Sequence, residues 1–242
     1  MFASQYYDSI KDILDTVYAS EKDKIERAGR CVADTIMGDG LVHGFGCGHS
    51  HMLMEELFYR AGGLAAVDPL FEESAMLHGG AVKSSHVERM SGYAQFVIDR
   101  YAVKPGDTFL IASSSGINCF PIEMGEEAKK RGATVIGITS DHYRDAPSRD
   151  KQGRHLRDVC DFYINNHVPH GDAVVGVGEG VKAGPVSSIS GFFIANSIIL
   201  AACEELGRRG FTPPVFKSGN VAGGDSYNSQ ILGRYMSRIK HL

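Results

Sequence analysis

The sequence predicts an α/β fold built on a parallel, doubly wound sheet, and three observations carry that reading. Short apolar, β-branched runs such as Phe109-Leu110-Ile111 and Thr134-Val135-Ile136-Gly137-Ile138 recur between segments with helical spacing. These runs are apolar at successive positions, as in strands buried on both faces. Two of the strands break abruptly into loops of glycine, serine and histidine, each followed by a helix. In an open parallel sheet such loops fall at the carboxyl ends of the strands, where ligands bind.

Taken in order, residues 3–37 place Tyr7, Ile10, Ile13, Leu14 and Val17, then Ile25, Ala28, Val32 and Ile36, at helical spacing. They read as two helices, or one bent helix, broken near Ser20, which would cap the second. Residues 41–46 form the first strand, and a helix follows over about 51–61. Residues 65–68 are a short strand, and 69–80 an irregular loop. Residues 85–101 read as a helix, and Pro105-Gly106-Asp107 turns into the central strand from Thr108. A helix over 121–131, a strand over 134–138 and a charged surface excursion over 141–157 come next. A strand over 159–164 and a short one over 173–177 precede a long, largely apolar helix from Pro185 to Arg208. The tail from Thr212 is either mobile or folded over a pocket. The domain reading is N-terminal helices over 1–37, a ligand-binding domain over 38–210 and a tail over 211–242.

Composition excludes several classes. The net charge of −4 argues against nucleic acid as a partner. Five cysteines, odd in number and without a Cys-x-x-Cys pair, read as reduced thiols in a cytoplasm. The first residues show no apolar signal core. No apolar run reaches the roughly 18 residues of a membrane span. The expectation is a cytoplasmic protein with no membrane partner.

The loop Ser113-Ser114-Ser115-Gly116-Ile117-Asn118 follows the central strand and opens a helix. That geometry binds anions, because amide groups and the helix dipole face the ligand. With no lysine it is not a P-loop, and it suits a phosphosugar better than a triphosphate. Gly46-Cys47-Gly48-His49-Ser50 is a second loop of the same kind. A dinucleotide fingerprint is its rival: Gly44-x-Gly46 is followed by Asp68 at the distance of a ribose-binding acid, but the third glycine position is His49. His43, His49 and His51 could ligate a metal, though a local His-x-His is weak evidence; zinc is possible and no metal is required. Glu55 and Glu56, and Glu73 with His78 in the 69–80 loop, are candidates for proton transfer.

These two loops resemble the signature loops of the sugar isomerase (SIS) domain family. Residues 113–118 match its Ser-x-Ser-Gly-x-Thr/Asn pattern, and Gly132 to Thr139 resembles its next strand. The resemblance covers roughly residues 35–210. Ser50-His51 with Glu55-Glu56-Leu57, and Val168-Pro169-His170, are similar to phosphoheptose isomerases. Lys182-Ala183-Gly184 resembles N-acetylmuramic acid phosphate etherases. The resemblance implies a flavodoxin-like three-layer α/β/α sandwich, here with the N-terminal helices as an extra layer. It also implies homodimers or homotetramers with sites near subunit interfaces. On this reading Ser113, Ser114, Ser115, Gly116 and Asn118 hold the phosphate. Gly46, Gly48, His49 and Ser50, with Ser187 or Ser188, close on the sugar. A base among Glu55, Glu56 and Glu73 moves a proton between adjacent carbons, helped by His78 or His170. An etherase would use the same pocket, and a phosphosugar sensor would need no base.

Overall fold

A computed structural model describes all 242 residues. The strands are β1 (Val42–Gly46), β2 (Val67–Pro69), β3 (Thr108–Ala112), β4 (Thr134–Thr139) and β5 (Phe162–Asn165). They pair in parallel in the order β2-β1-β3-β4-β5. This is the flavodoxin-like order, whose connections change direction between β1 and β3. Side chains alternate across the sheet: Leu110 and Ala112 join one core and Phe109 and Ile111 the other.

On the first face lie α1 (Phe2–Met37), α2 (Met52–Leu57) and α7 (Ser187–Arg208). On the second lie α3 (Ala81–Val87), α4 (Ala94–Ile98), α5 (Cys119–Lys130) and α6 (Leu156–Val159). The three-layer sandwich follows the expectation, with four differences. First, α1 is one unbroken helix. Ser20 donates its hydroxyl to the Thr16 carbonyl at 2.8 Å instead of capping a new helix. Nor is α1 an extra layer: it packs beside α7 on the sheet, so closely that a Cβ at Gly29 would lie 2.5 Å from that of Ala201.

Second, the helix read over 85–101 is two short helices. Gly92 sits at φ +85° between them, and the Glu123 carboxylate accepts from the Ser91 hydroxyl and the Gly92 amide. Third, β6 (Ala173–Gly178) pairs only with β7 (Val181–Pro185), as an antiparallel hairpin outside the main sheet. Fourth, the tail is docked on the fold and is not a loose end. Leu64 bridges to Val215, and α8 (Gly224–Tyr235) buries Tyr235 against the first core. Arg234 and Arg238 fasten it to Asp39.

Helix α7 is also long and apolar enough, by length and composition, to cross a membrane, although its sequence holds no unbroken apolar run of that length. Half of that window is buried inside the fold, as in the core helix of a sandwich.

Candidate functional site

The two loops singled out above leave β1 and β3 side by side at the carboxyl edge of the sheet, at the point where strand order reverses. Gly46 ends β1 because nothing larger fits: a Cβ there would lie 2.5 Å from the carbonyl of Ser50. The chain then turns through Gly48, at φ +55°, into a single 3-10 turn over Gly48–His51. On the other side, Ser113 accepts the Gly116 amide on its hydroxyl at 3.2 Å, folding the serine loop on itself. Gly116 holds φ +62° against Thr139.

Between the loops runs a narrow crevice whose cavity volume is only about 10 Å³, room for roughly one water molecule, so a larger ligand would need the two loops to part. His49, Ser50, Ser114, Asn166, Ser187 and Ser188 supply its polar wall, and Leu53, Ala112, Ile138 and Gly191 its floor. No carboxylate, lysine or arginine lines it.

The hydroxyls differ in what they can still do. Ser114 accepts from the Asn166 amide at 3.0 Å, so its proton is free to be donated. Ser187 gives its proton to Asp172 at 2.7 Å and is left an acceptor. Ser50 and Ser188 have no side-chain partner within the fold. Asp172 also takes the amides of Val186 and Ser187 at 2.9 and 2.8 Å, satisfying part of the α7 amino end. The amino end of α5 is poorer in free donors than the sequence suggested. Phe120 donates its amide to the Glu88 carbonyl, and Pro121 has none.

The remaining predicted residues scatter. Ser113 is buried within its own loop, and Ser115 is half-buried outside the crevice wall. Asn118 turns away and accepts from Arg149 at 2.8 Å. Near it, burial holds the Glu88 carboxyl above its ordinary range. Glu56 is paired with Arg60 and accepts from Asn196 of α7 at 3.0 Å, which points it away from the crevice. His170 is exposed, with its ring stacked on Tyr143. Cys47, inside the first loop, is buried, and burial pushes its thiol well above the ordinary value, so it is no nucleophile.

Three residues gather where the first loop meets the 69–80 segment. His51 lies 3.2 Å from Glu55, and its ring meets that of His78 edge-on at 5.5 Å. His51 is the neighbour of Ser50 in the crevice wall. Glu73 is exposed in a short turn whose backbone packs against Gly79, beside His78.

Asn166 and Asp172 were not anticipated. Asn166 follows β5 directly, so its position just past a strand's carboxyl end was the available signal. Asp172 reaches the site through a left-handed backbone at φ +67°, which leaves no trace in the sequence. Asp68, the acid of the dinucleotide reading, is buried in the sheet 3.0 Å from His43 and faces no ligand space.

Residues 5–140 match the SIS domain family. The chain belongs to it. It is 42% identical over 238 residues to the UPF0309 protein GK1441 of Geobacillus kaustophilus, spanning 98% of this chain and 95% of the relative. It is therefore also a member of the UPF0309 group. Two solved structures share the fold. One is phosphoheptose isomerase GmhA from Neisseria gonorrhoeae, with TM-score 0.53 and 16% identity over 82% of this chain and 96% of that one. The other is the Vibrio vulnificus NanR protein complexed with ManNAc-6P, with TM-score 0.54 and 13% identity over 100% of this chain and 71% of that one.

Proposed function

We propose that this SIS protein binds a phosphosugar in the serine crevice and isomerises it between aldose and ketose forms. The observation that carries the reading is the crevice wall. Free hydroxyls of Ser50, Ser114 and Ser188 converge at the β1/β3 edge, and no carboxylate there would repel an anion. A phosphate fits hydroxyl and amide donors without a cationic side chain, and hydrogen bonds to a charged acceptor contribute about 1.5–3 kcal/mol each. Family membership supports the class, and the bound ManNAc-6P of NanR is a ligand of that class.

With the phosphate seated on the serines, the sugar's reacting carbons extend towards His51, His78 and the carboxylates at the rim. Isomerisation takes a proton from the carbon beside the carbonyl and returns it to the former carbonyl carbon, through an enediol. Glu55 and Glu73 are the rim carboxylates available as the base, while Glu56 is held elsewhere by Arg60 and Asn196. A sensor would use the same crevice without the rim. Homodimers or homotetramers belong to the same reading, and light scattering on the purified protein checks them.

The test is a thermal-shift panel of heptose, hexose, N-acetylhexosamine and N-acetylmuramic acid phosphates beside the unphosphorylated sugars, with turnover assayed for each hit. A ligand of the native state raises the melting temperature by mass action. Stabilisation by a phosphosugar and not its parent sugar, with interconversion of aldose and ketose, is the expected result. Stabilisation without turnover would leave a sensor. No stabilisation by any member would sink the reading.

A further inference from the structure

We infer that the serine crevice selects by hydrogen-bond polarity. It takes an oxyanion that still carries a proton, such as hydrogen phosphate, over one that can only accept, such as sulfate, and Asn166 and Asp172 set that preference. Both are positioning residues: each fixes the direction of a serine hydroxyl that meets the ligand. The inference rests on the phosphosugar reading only in taking the crevice as an anion site.

Asn166 follows β5 and is 2% exposed. Its backbone amide donates to the Thr139 carbonyl at 3.0 Å, and its carbonyl accepts from the Ser190 hydroxyl at 2.7 Å, so the residue is held on both sides. The side-chain amide has one orientation. The Val168 N–H, which can only donate, lies 3.2 Å from Asn166 Oδ1. Nδ2 is therefore the atom facing Ser114 Oγ, at 3.0 Å. An NH2 group cannot accept, so Ser114 receives that bond and keeps its own proton for the crevice it lines.

Asp172 does the reverse at the amino end of α7. Its Oδ1 accepts the amides of Val186 and Ser187 at 2.9 and 2.8 Å, and its Oδ2 accepts the Ser187 hydroxyl at 2.7 Å. A carboxylate has no proton to offer, so Ser187 spends its own there and turns only lone pairs to the crevice. With room for roughly one water between them, the walls address a single ligand group once the loops part. That group needs an acceptor oxygen for Ser114 and an O–H for Ser187. Hydrogen phosphate has both. Sulfate would set a bare oxygen against the Ser187 lone pairs, a repulsive element of the kind that separates close analogues.

The experiment titrates the full chain with inorganic phosphate and with sulfate by calorimetry, near neutral pH and at fixed ionic strength. The unaltered chain should prefer phosphate by roughly 10–150-fold, the worth of one hydrogen bond to a charged group. Asp172→Asn keeps a carbonyl oxygen for the α7 amides but donates an N–H to Ser187, which turns the serine proton towards the ligand. The preference should vanish or reverse. Ser187→Ala removes the acceptor and leaves Asp172 its two amides, and it too should bring the ions together. Asn166→Asp captures the Ser114 proton and should weaken both ions at least about tenfold. General damage to the fold would weaken both ions and spare their ratio, so the ratio is the readout. Equal affinities in the unaltered chain, no binding of either ion, or a phosphate preference that survives both Asp172→Asn and Ser187→Ala would overturn the inference. Failure of the phosphosugar reading looks different: the phosphate preference holds, but no phosphosugar stabilises the chain.

Discussion

Two polar clusters lie at opposite ends of the same central strands, and they differ in whether their polar groups can reach a ligand. At the amino end, His43 of β1 stands between two carboxylates, 3.0 Å from Asp68 of β2 and 3.1 Å from Asp107 before β3. All three are sealed from solvent. Asp107 also takes the amides of Leu41 and Lys104 and the Lys104 ammonium. At the carboxyl end, Ser50, Ser114 and Ser188 keep hydroxyls facing open space. The sealed cluster ties three strands together with charge it cannot share with a ligand. The open one has donors aimed at a ligand and costs little in stability because water can solvate them. Sheet position alone does not distinguish them, since both flank β1 and β3; access does, because His43 Nδ1 and Asp68 Oδ1 lack hydrogen-bond partners yet are sealed where no ligand reaches them.

The strongest way to break this contrast is His43→Ala. It removes the cation between two buried carboxylates, and losing one partner of a buried charged pair costs about 3–5 kcal/mol. Urea unfolding should show a loss of that size, and a change below about 1 kcal/mol would mean that the triad is not the clasp described here. Next is Gly116→Ala. It forces a side chain onto a left-handed backbone and 2.7 Å from the Thr139 hydroxyl. Overpacking of that kind costs about 1–3 kcal/mol. Phosphosugar affinity should fall by more than the stability loss explains.

Ser114→Ala should cost about 1.5–3 kcal/mol in phosphosugar binding, roughly 10–150-fold, by removing one hydrogen bond to a charged group. The melting temperature should move little, and titration calorimetry beside a melting curve checks both. Glu56→Gln is the smallest effect expected: binding and turnover within about twofold of the unaltered protein, because its partners are Arg60 and Asn196.

A pH profile sharpens the contrast from the other direction. Burial disfavours the charged form of His43, but the hydrogen bond to Asp107 and the Asp68 carboxylate 3.0 Å away outweigh it and hold the imidazole above its ordinary 6.5. A raised folded-state value contributes stability that is full below 6.5 and lost as pH rises through the folded value. Burial likewise pushes Asp107 up, and the bonds from His43, Leu41 and Lys104 overcome it, lowering the carboxyl to about 2. That contribution is present above the ordinary 3.8 and lost as pH falls towards about 2. Unfolding free energy should therefore decline on both flanks, and His43→Ala should flatten the alkaline one. An unchanged alkaline flank in that variant would remove His43 from the account.

Much of this was legible in the chain. Successive apolar residues at 109–111 and 134–138 specify strands buried on both faces, and the abrupt change to Ser113-Ser114-Ser115-Gly116 marks a binding edge. These are local signals, readable because burial and turn chemistry act on neighbours in sequence. The break expected near Ser20 and the single helix expected over 85–101 were misjudged for a related reason. Ser20 and Ser91-Gly92 have the same kind of local chemistry, and only the partners supplied by the fold, α7 for one and Glu123 for the other, decide between continuation and arrest.

Which side chains meet at the site was decided by the tertiary structure. Ser50, Ser114, Asn166 and Ser188 are distant in sequence and converge because parallel pairing of β1, β3, β4 and β5 brings their carboxyl ends to one edge. The same pairing sends Asp68 into the sheet beside His43, Asn118 towards Arg149 and Glu56 towards Arg60. The sequence by itself determined the strands, the two loops and their chemistry, because each depends on residues a few positions apart. Whether a polar group is spent inside the protein or left for a ligand depends on partners tens of residues away, and only the folded chain brings them within hydrogen-bonding distance.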